Sequence, residues 1–388
     1  MKILVLGNGF DLAHSLPTKY SHFLDFVRLF RDYGQYITKE KTIPEGNERI
    51  KNCFAFIQKI YQPNGSGDDL YREICSYTAD NNLLLNHFLK TYQNRCKLGR
   101  EGWIDFEAEI ADIVRLFDEA RNISIQQREE GKKCILPDNI AQRITPFILY
   151  ERTDIGITID MRGKILSPDF IEEQGKRIHA ELTMIIRLFE IYLLEIVSKQ
   201  EIQKEIGQIS ELQIDKVLSF NYTKTYMKAY DPNETAEYCY IHGKIDDNSN
   251  LQDCNLVLGI NEYLDNDRQN QDNAFVWFKK FYQRIAKETS STYIDWLDDH
   301  TLSNQRTPKL PPTPLDIYFY GHSLDVSDRD VLRRLILHKN ARIHIFYPEK
   351  KEMGKQINNL IKVIDAENLI QMTRGRNRTI EFIQITNN

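Results

Sequence analysis

The stretch that most narrows the possible folds is "ILVLGNGFDLAHSLPTKYSHFLDF", residues 3–26. Ile3–Leu6 are apolar at every successive position. A strand of that kind is covered on both faces, the condition of a parallel sheet with helices on either side. Gly7-Asn8-Gly9 stops it, and an amphipathic run follows. Strand, glycine turn and helix in that order open a doubly wound α/β fold, whose ligands sit beyond the carboxyl ends of the strands. Backbone amides at such a turn can face an anionic phosphate. The third glycine of a dinucleotide fingerprint is missing, and Leu12 stands in its place. Pro17 and Thr18 suit a second helix entry. The turn is therefore expected to lead into a short loop that carries Phe10, Asp11 and His14 over a pocket.

Further strand-like runs lie in the second half: "KVLSF" (216–220), "EYCYI" (237–241), "NLVLG" (255–259), "LDIYFY" (315–320), "ARIHIFY" (341–347) and "TIEFIQI" (379–385). Helical patterns alternate with several of them, which implies a largely parallel sheet. "SDRDVLRRLILH" (327–338) reads as a helix capped by Ser327 and Asp330. Residues 46–211 differ. "RIKNCFAFIQKIYQ", "NNLLLNHFLKTYQNR", "DFEAEIADIVRLFDEARN" and the long run from Phe170 all have helical period. They predict a helical insertion after the first strand and helix, with loops at 62–69 and 131–138 and a proline-rich connector at 305–314.

Four strand ends carry candidate chemistry. Gly7-Asn8-Gly9 is the first. Asn221, in "SFNYTKTY", can bind a ribose hydroxyl or orient a water; it can equally serve a turn or cap a helix. His242, before Gly243 in "YIHGKI", has the position of a general base, or of a buried histidine bonded to a carbonyl. Gly321 and Ser323, in "YFYGHSLDVSD", suit a ribose or phosphate contact. Asp325, Asp328 and Asp330 read as acids that complement a helix start. "GWIDFEAEI" (102–110) holds Trp103, Asp105, Glu107 and Glu109, open to a catalytic or metal role or to plain helix N-terminal charge. The three arginines of "TRGRNRT" (373–379) read as a solvated loop.

Composition narrows the class further. Of 388 residues, 41% are apolar and 28% charged, an ordinary globular balance, and the formal charge of −5 disfavours a nucleic-acid gripper. No apolar run approaches a membrane span, and the fold is expected to start at Lys2 without a signal peptide. None of the six cysteines forms a CxxC pair, so reduced thiols and a cytoplasmic location are expected.

"GNGFDLAHSLPTKYSHFL", "WIDFE", "SFNYT", "IHGKI" and "FYGHSLDVSD" together resemble the bacteriophage abortive-infection AbiH family over nearly the whole chain. More remotely, their order is similar to the sirtuin-like NAD-binding fold. Sirtuins have Gly-Ala-Gly-Ile-Ser reaching Ile-Pro; here Gly7-Asn8-Gly9-Phe10-Asp11 reaches Leu16-Pro17. Ser219-Phe220-Asn221 stands for their Thr-Gln-Asn, His242-Gly243 for their His-Gly, and Gly321-His322-Ser323 for their Gly-x-Ser turn. The four-cysteine zinc module of the deacetylases is missing, Thr223 replaces their aspartate, and Asp11 replaces their serine.

The resemblance implies a sirtuin-like, Rossmann-type sheet from residues 1–45 and 212–388, with 46–211 as an inserted helical subdomain. It implies an antiphage protein that binds NAD and hydrolyses it to nicotinamide and ADP-ribose. Asn221 would orient water or ribose, His242 act as base, and Asp11 stabilise the cation. Gly7, Asn8, Gly9, Phe10, His14, Pro17, Thr223, Gly321, His322 and Ser323 would contact the nucleotide. No metal is expected. Expected partners are NAD or a related nucleotide, a phage-derived trigger and a second copy of the chain. A nucleotide sensor acting through a partner is the alternative reading. A metal-dependent nuclease using the acids of 103–109 and 325–330 is the third.

Overall fold

The computed structural model describes residues 1–38, 48–61, 69–98, 104–148, 167–202, 206–246, 253–264, 268, 272–306, 311–374, 376 and 378–386. Trp103 and much of the 62–69 loop lie outside them.

Six strands form one sheet: β1 (Lys2–Leu6), β2 (Lys216–Ser219), β3 (Glu237–Tyr240), β4 (Leu315–Tyr320), β5 (Ala341–Tyr347) and β6 (Ile380–Gln384). Their order is β3-β2-β1-β4-β5-β6 and every pairing is parallel. This is the doubly wound α/β sheet that the apolar runs predict. The strand order reverses between β1 and β4, which opens a crevice at their carboxyl ends.

One expected strand is not there. Residues 255–259 form no strand. Other groups take their backbone hydrogen bonds. Val257 N donates to His242 O (2.9 Å), Tyr222 Oη donates to Val257 O (2.8 Å), and the Gln283 amide serves both Leu258 N and Leu258 O (3.1 Å each). Leu256 and Leu258 bury themselves among helices instead of in the sheet.

Between β1 and β2 the described residues hold helices and no strand. These are α1 (Asn8–Ala13), α2 (Tyr20–Thr38), α3 (Glu48–Ile60), α4 (Asp69–Tyr77), α5 (Leu83–Lys97), α6 (Phe106–Glu129), α7 (Asp138–Ile144), α8 (Pro168–Tyr192) and α9 (Gly207–Ser210). A π-helical turn, Leu193–Val197, continues α8. Asn82, Asp105 and Ser167 cap α5, α6 and α8, each side chain accepting a backbone N–H of the first turn and contributing about 1 kcal/mol. α10 (Thr225–Tyr230) follows β2, α11 (Lys280–Ala286) and α12 (Tyr293–Arg306) precede β4, and α13 (Arg329–Ile336) follows it. α14 (Lys350–Ile364) and α15 (Ala366–Thr373) lie between β5 and β6. The expected Ser327 cap is displaced. Asp325 caps a short 3-10 turn, Val326–Asp328, and α13 starts after it.

Alternate residues of each strand feed different cores, as the pleat requires. Ile3, Val5, Ile317, Phe319, Ile343 and Ile345 pack with residues of α12 to α15 on one face. Leu4, Leu6, Val217 and Tyr320 pack with Phe10 and Tyr226 on the other. A third core joins the helices between β1 and β2. Among the described residues no helix is long and apolar enough to cross a membrane.

Candidate functional site

The glycine turn after β1 closes directly on the turn after β4. Gly7 N donates to Tyr320 O (3.0 Å) and Gly9 N to Gly321 O (2.9 Å). A Cβ on Gly7 or Gly9 would meet that turn's backbone at 2.6 and 2.7 Å, and one on Gly321 would sit 2.2 Å from Phe10 N. These glycines let two backbones touch. The amides of Gly7 and Gly9 are spent inside the protein, so neither faces a phosphate as the sequence suggested. α1 also begins at once, at Asn8. Its Phe10 is fully buried among His14, Tyr226, Tyr230 and Tyr320.

Beside this joint lies a cavity of about 230 Å³. Its floor is the carboxyl ends of β1, β2, β3 and β4: Gly7 and Asn8, Phe220 to Thr223, His242, and Gly321 to Ser323. Its roof comes from the helices: Tyr20 of α2, Glu107 of α6, Phe189 of α8 and Leu193 of the π turn. Asp11 and Asp328 complete it.

Asp11 is almost wholly buried. Its Oδ2 accepts from Thr223 Oγ1 (2.7 Å), which accepts in turn from Thr225 Oγ1 (3.0 Å). Among the described residues its Oδ1 has no hydrogen-bond partner. A buried polar atom without a partner costs stability and marks a place where a ligand or function pays it back. Burial pushes the Asp11 carboxyl up to about 6, against the pull of the Thr223, Thr225 and Asn221 side chains. Asn221 Nδ2 donates to Gly7 O (3.0 Å), so the amide ties the end of β2 to the β1 turn and does not cap α10.

A charged cluster stands opposite. Lys280 Nζ lies 2.9 Å from Glu107 Oε2 and 3.0 Å from Asp328 Oδ1. His242 Nε2 faces Asp328 Oδ1 at 3.3 Å, and His322 Nε2 faces Asp328 Oδ2 at 3.7 Å. His322 Nδ1 accepts from Leu324 N (2.9 Å), which places its proton on Nε2. Burial pushes both imidazoles down, His322 to about 4, so both are neutral at physiological pH. Burial opposes the charges of Lys280 and Asp328, but their neighbours together outweigh it: Asp328 and Glu107 keep Lys280 protonated, and Lys280 with His242 and His322 holds Asp328 well below the usual carboxylate range. Burial raises Glu107 to about 7, with Lys280 pulling the other way. The two acidic runs singled out in the sequence thus meet around an ammonium, and a metal there would have to displace it. Among the described residues no group of three or more His, Cys, Asp or Glu side chains is arranged to hold a metal ion.

The cavity brings together Gly7, Asn8, Asp11, Asn221, Thr223, His242, Gly321, His322 and Ser323. It leaves out four residues that the sequence placed there. Gly9 lines a neighbouring cavity of about 580 Å³, on the β4–β5–β6 side, which shares Gly321, His322 and Ser323. Phe10 is core. His14 bonds Phe10 O through Nδ1 (2.7 Å) and Tyr230 Oη through Nε2 (2.8 Å), so both its nitrogens are occupied. Pro17 accepts from Tyr192 Oη (2.8 Å) away from the cavity.

The sequence reading missed Lys280, Tyr20, Phe189 and Tyr222, and treated Asp328 as a helix-start charge. The one signal for Lys280 was a lysine pair set between aromatics, in "VWFKKFYQ". Of the three acids near Trp103, Asp105 caps α6 and Glu109 pairs with His87 (2.9 Å) and Arg95 (2.8 Å). Only Glu107 reaches the cavity.

No curated protein and no solved structure matches the chain. A family model described as "Bacteriophage abortive infection AbiH" matches residues 3–347. The chain belongs to that family, and a role in abortive infection by bacteriophage follows from the membership.

Proposed function

We propose that the protein binds NAD at this site and hydrolyses its nicotinamide–ribose bond as the effector step of abortive infection. The observation that carries the reading is the unpartnered Asp11 Oδ1 beside Asn221 and the His242–Asp328 couple, at the carboxyl ends of β1, β2 and β3. The room supports it too. The cavity of about 230 Å³ falls below the roughly 300–1,000 Å³ of pockets that enclose a whole ligand. It suits one ring and one sugar. The adjoining cavity of about 580 Å³ suits the other half of a dinucleotide, with Ser323 on the border of both.

The chemistry balances with the residues in place. The bond from ribose C1′ to the pyridinium nitrogen breaks, and its electron pair neutralises the ring, so the leaving group needs no proton. Water oxygen bonds to C1′ and gives up one proton. Asp328 lies 3.3 Å from His242 Nε2 without hydrogen-bonding geometry, and its charge alone favours the tautomer with a proton there, in which Nδ1 would accept the proton from water. The Asp11 carboxylate offsets positive charge developing at C1′, and Asn221 orients water or ribose.

Purified protein, alone and prepared from phage-challenged cells, is expected to release nicotinamide from NAD. His242→Ala and Asn221→Ala should abolish the release. Full turnover in both variants would overturn the assignment. Tight NAD binding without release under any condition would make the protein a sensor.

A further inference from the structure

We propose that Glu107 reads the ring of the ligand, selecting a planar heterocycle that is cationic or bears N–H donors over one that carries an anionic group. The inference rests on the NAD reading above and deepens it.

Glu107 comes from a helix between β1 and β2, outside the sheet that supplies His242 and Asn221. It lines the cavity and keeps 27% of its side-chain surface accessible. Lys280 holds Oε2, and among the described residues no donor meets Oε1. Tyr20, Phe189, Phe220 and Tyr222 give the same cavity aromatic walls, which suit a flat ring. The balance of charge is acidic. Asp11, Glu107 and Asp328 surround the space, one ammonium among the described residues answers them, and His242 and His322 are neutral. An anion in this space meets like charge with little water to screen it.

The ionisable groups that face Glu107 are Lys280 of α11, Asp328 before α13, Tyr20 of α2, Tyr222 after β2, and Asp105 on its own element. Burial keeps both tyrosines protonated through the neutral range. The Glu107 carboxyl is therefore the group here that changes charge near neutrality.

The experiment is calorimetric binding of NAD and of its nicotinic-acid counterpart, which differs only in having a carboxylate in place of the carboxamide, each used as the carbocyclic analogue whose ring–sugar bond is not hydrolysed. Wild type should prefer NAD by roughly tenfold or more. Glu107→Gln should bring the ratio to within about threefold, mainly by tightening the carboxylate form. Wild type alone gives a second measurement that needs no variant. Its preference should shrink as pH falls through about 7. Asp11 titrates at about 6, so the step belonging to Glu107 is the one the glutamine variant lacks. An unchanged ratio in folded Glu107→Gln, or no step in wild type, overturns the inference and leaves NAD binding standing. Failure of wild type to bind either nucleotide overturns both readings.

Discussion

Asp11 is a carboxyl that this fold keeps at a cost. A rise from the ordinary 3.8 to about 6 corresponds to about 3 kcal/mol. The folded protein holds the proton more tightly than the unfolded chain, so the cost is full above about 6, falls away as pH drops, and is absent below 3.8. Asp11→Asn removes the charge and keeps an oxygen for Thr223. In urea unfolding at about pH 8 the variant should be more stable than wild type by about 1–3 kcal/mol, with no gain near pH 4. It should also lose nicotinamide release, because the amide cannot offset charge at C1′. A variant less stable than wild type at both pH values would show that the carboxylate is not strained. Together, stability gained and activity lost are what a functional group produces; a structural acid would give the opposite stability result.

The joint between α1 and the β4 turn makes a prediction about elements. Gly321 has φ +68° and Gly131 has φ +67°, but a Cβ on Gly131 would meet nothing within 4 Å, whereas one on Gly321 would overlap Phe10 N. Gly131→Ala should cost about 1–2 kcal/mol, the conformational penalty alone. Gly321→Ala should exceed it by about 2 kcal/mol or more, read as the difference in urea midpoints, because backbone has to move. Equal costs would mean that the two turns are not locked together. The same joint shows what a sequence can and cannot reveal. The strands were legible because full burial writes an unbroken apolar run, and the break at Pro17 and Thr18 before α2 was legible from its helix-entry chemistry. Residues 255–259 carry the same apolar signature for a different reason: they are buried by helices, and Gln283 and Tyr222 take the hydrogen bonds a sheet would have made. The glycines announced a close approach but not by what, and the partner was Gly321 rather than a phosphate. Asp11 lies on α1 and His14 caps its end three residues later, and only the packed structure tells the satisfied histidine from the acid with one oxygen left open.

At the scale of the whole molecule, the cavity is where two bodies of packing meet. Leu256, Leu258 and Phe275, which follow β3, bury themselves in the helical core, so the chain between β3 and β4 belongs to both. Lys280 lies on the same stretch, five residues after Phe275. It binds Glu107 from the helices with one contact and Asp328 from the sheet side with another. Replacing the ammonium leaves the buried Asp328 carboxylate and the half-buried Glu107 carboxylate near each other with no cation between them. Lys280→Met should therefore cost about 3–5 kcal/mol at neutral pH. Without the lysine both carboxyls are pushed up, and a raised carboxyl costs stability only where it is ionised. The loss relative to wild type should be largest above about 7, the value Glu107 already reaches with Lys280 present, and should shrink steadily on acidification. Adding Glu107→Gln removes one of the two orphaned charges, so the double variant should recover part of the loss at neutral pH, and the cycle should show coupling of about 1 kcal/mol or more. Denaturant unfolding of the four proteins at two pH values measures both effects. A loss that is equal in acid and at neutrality, with additive single variants, would mean that Lys280 merely fills space. A coupled, pH-dependent loss would mean that one buried cation holds the helical roof onto the sheet, at the site where a ligand would bind.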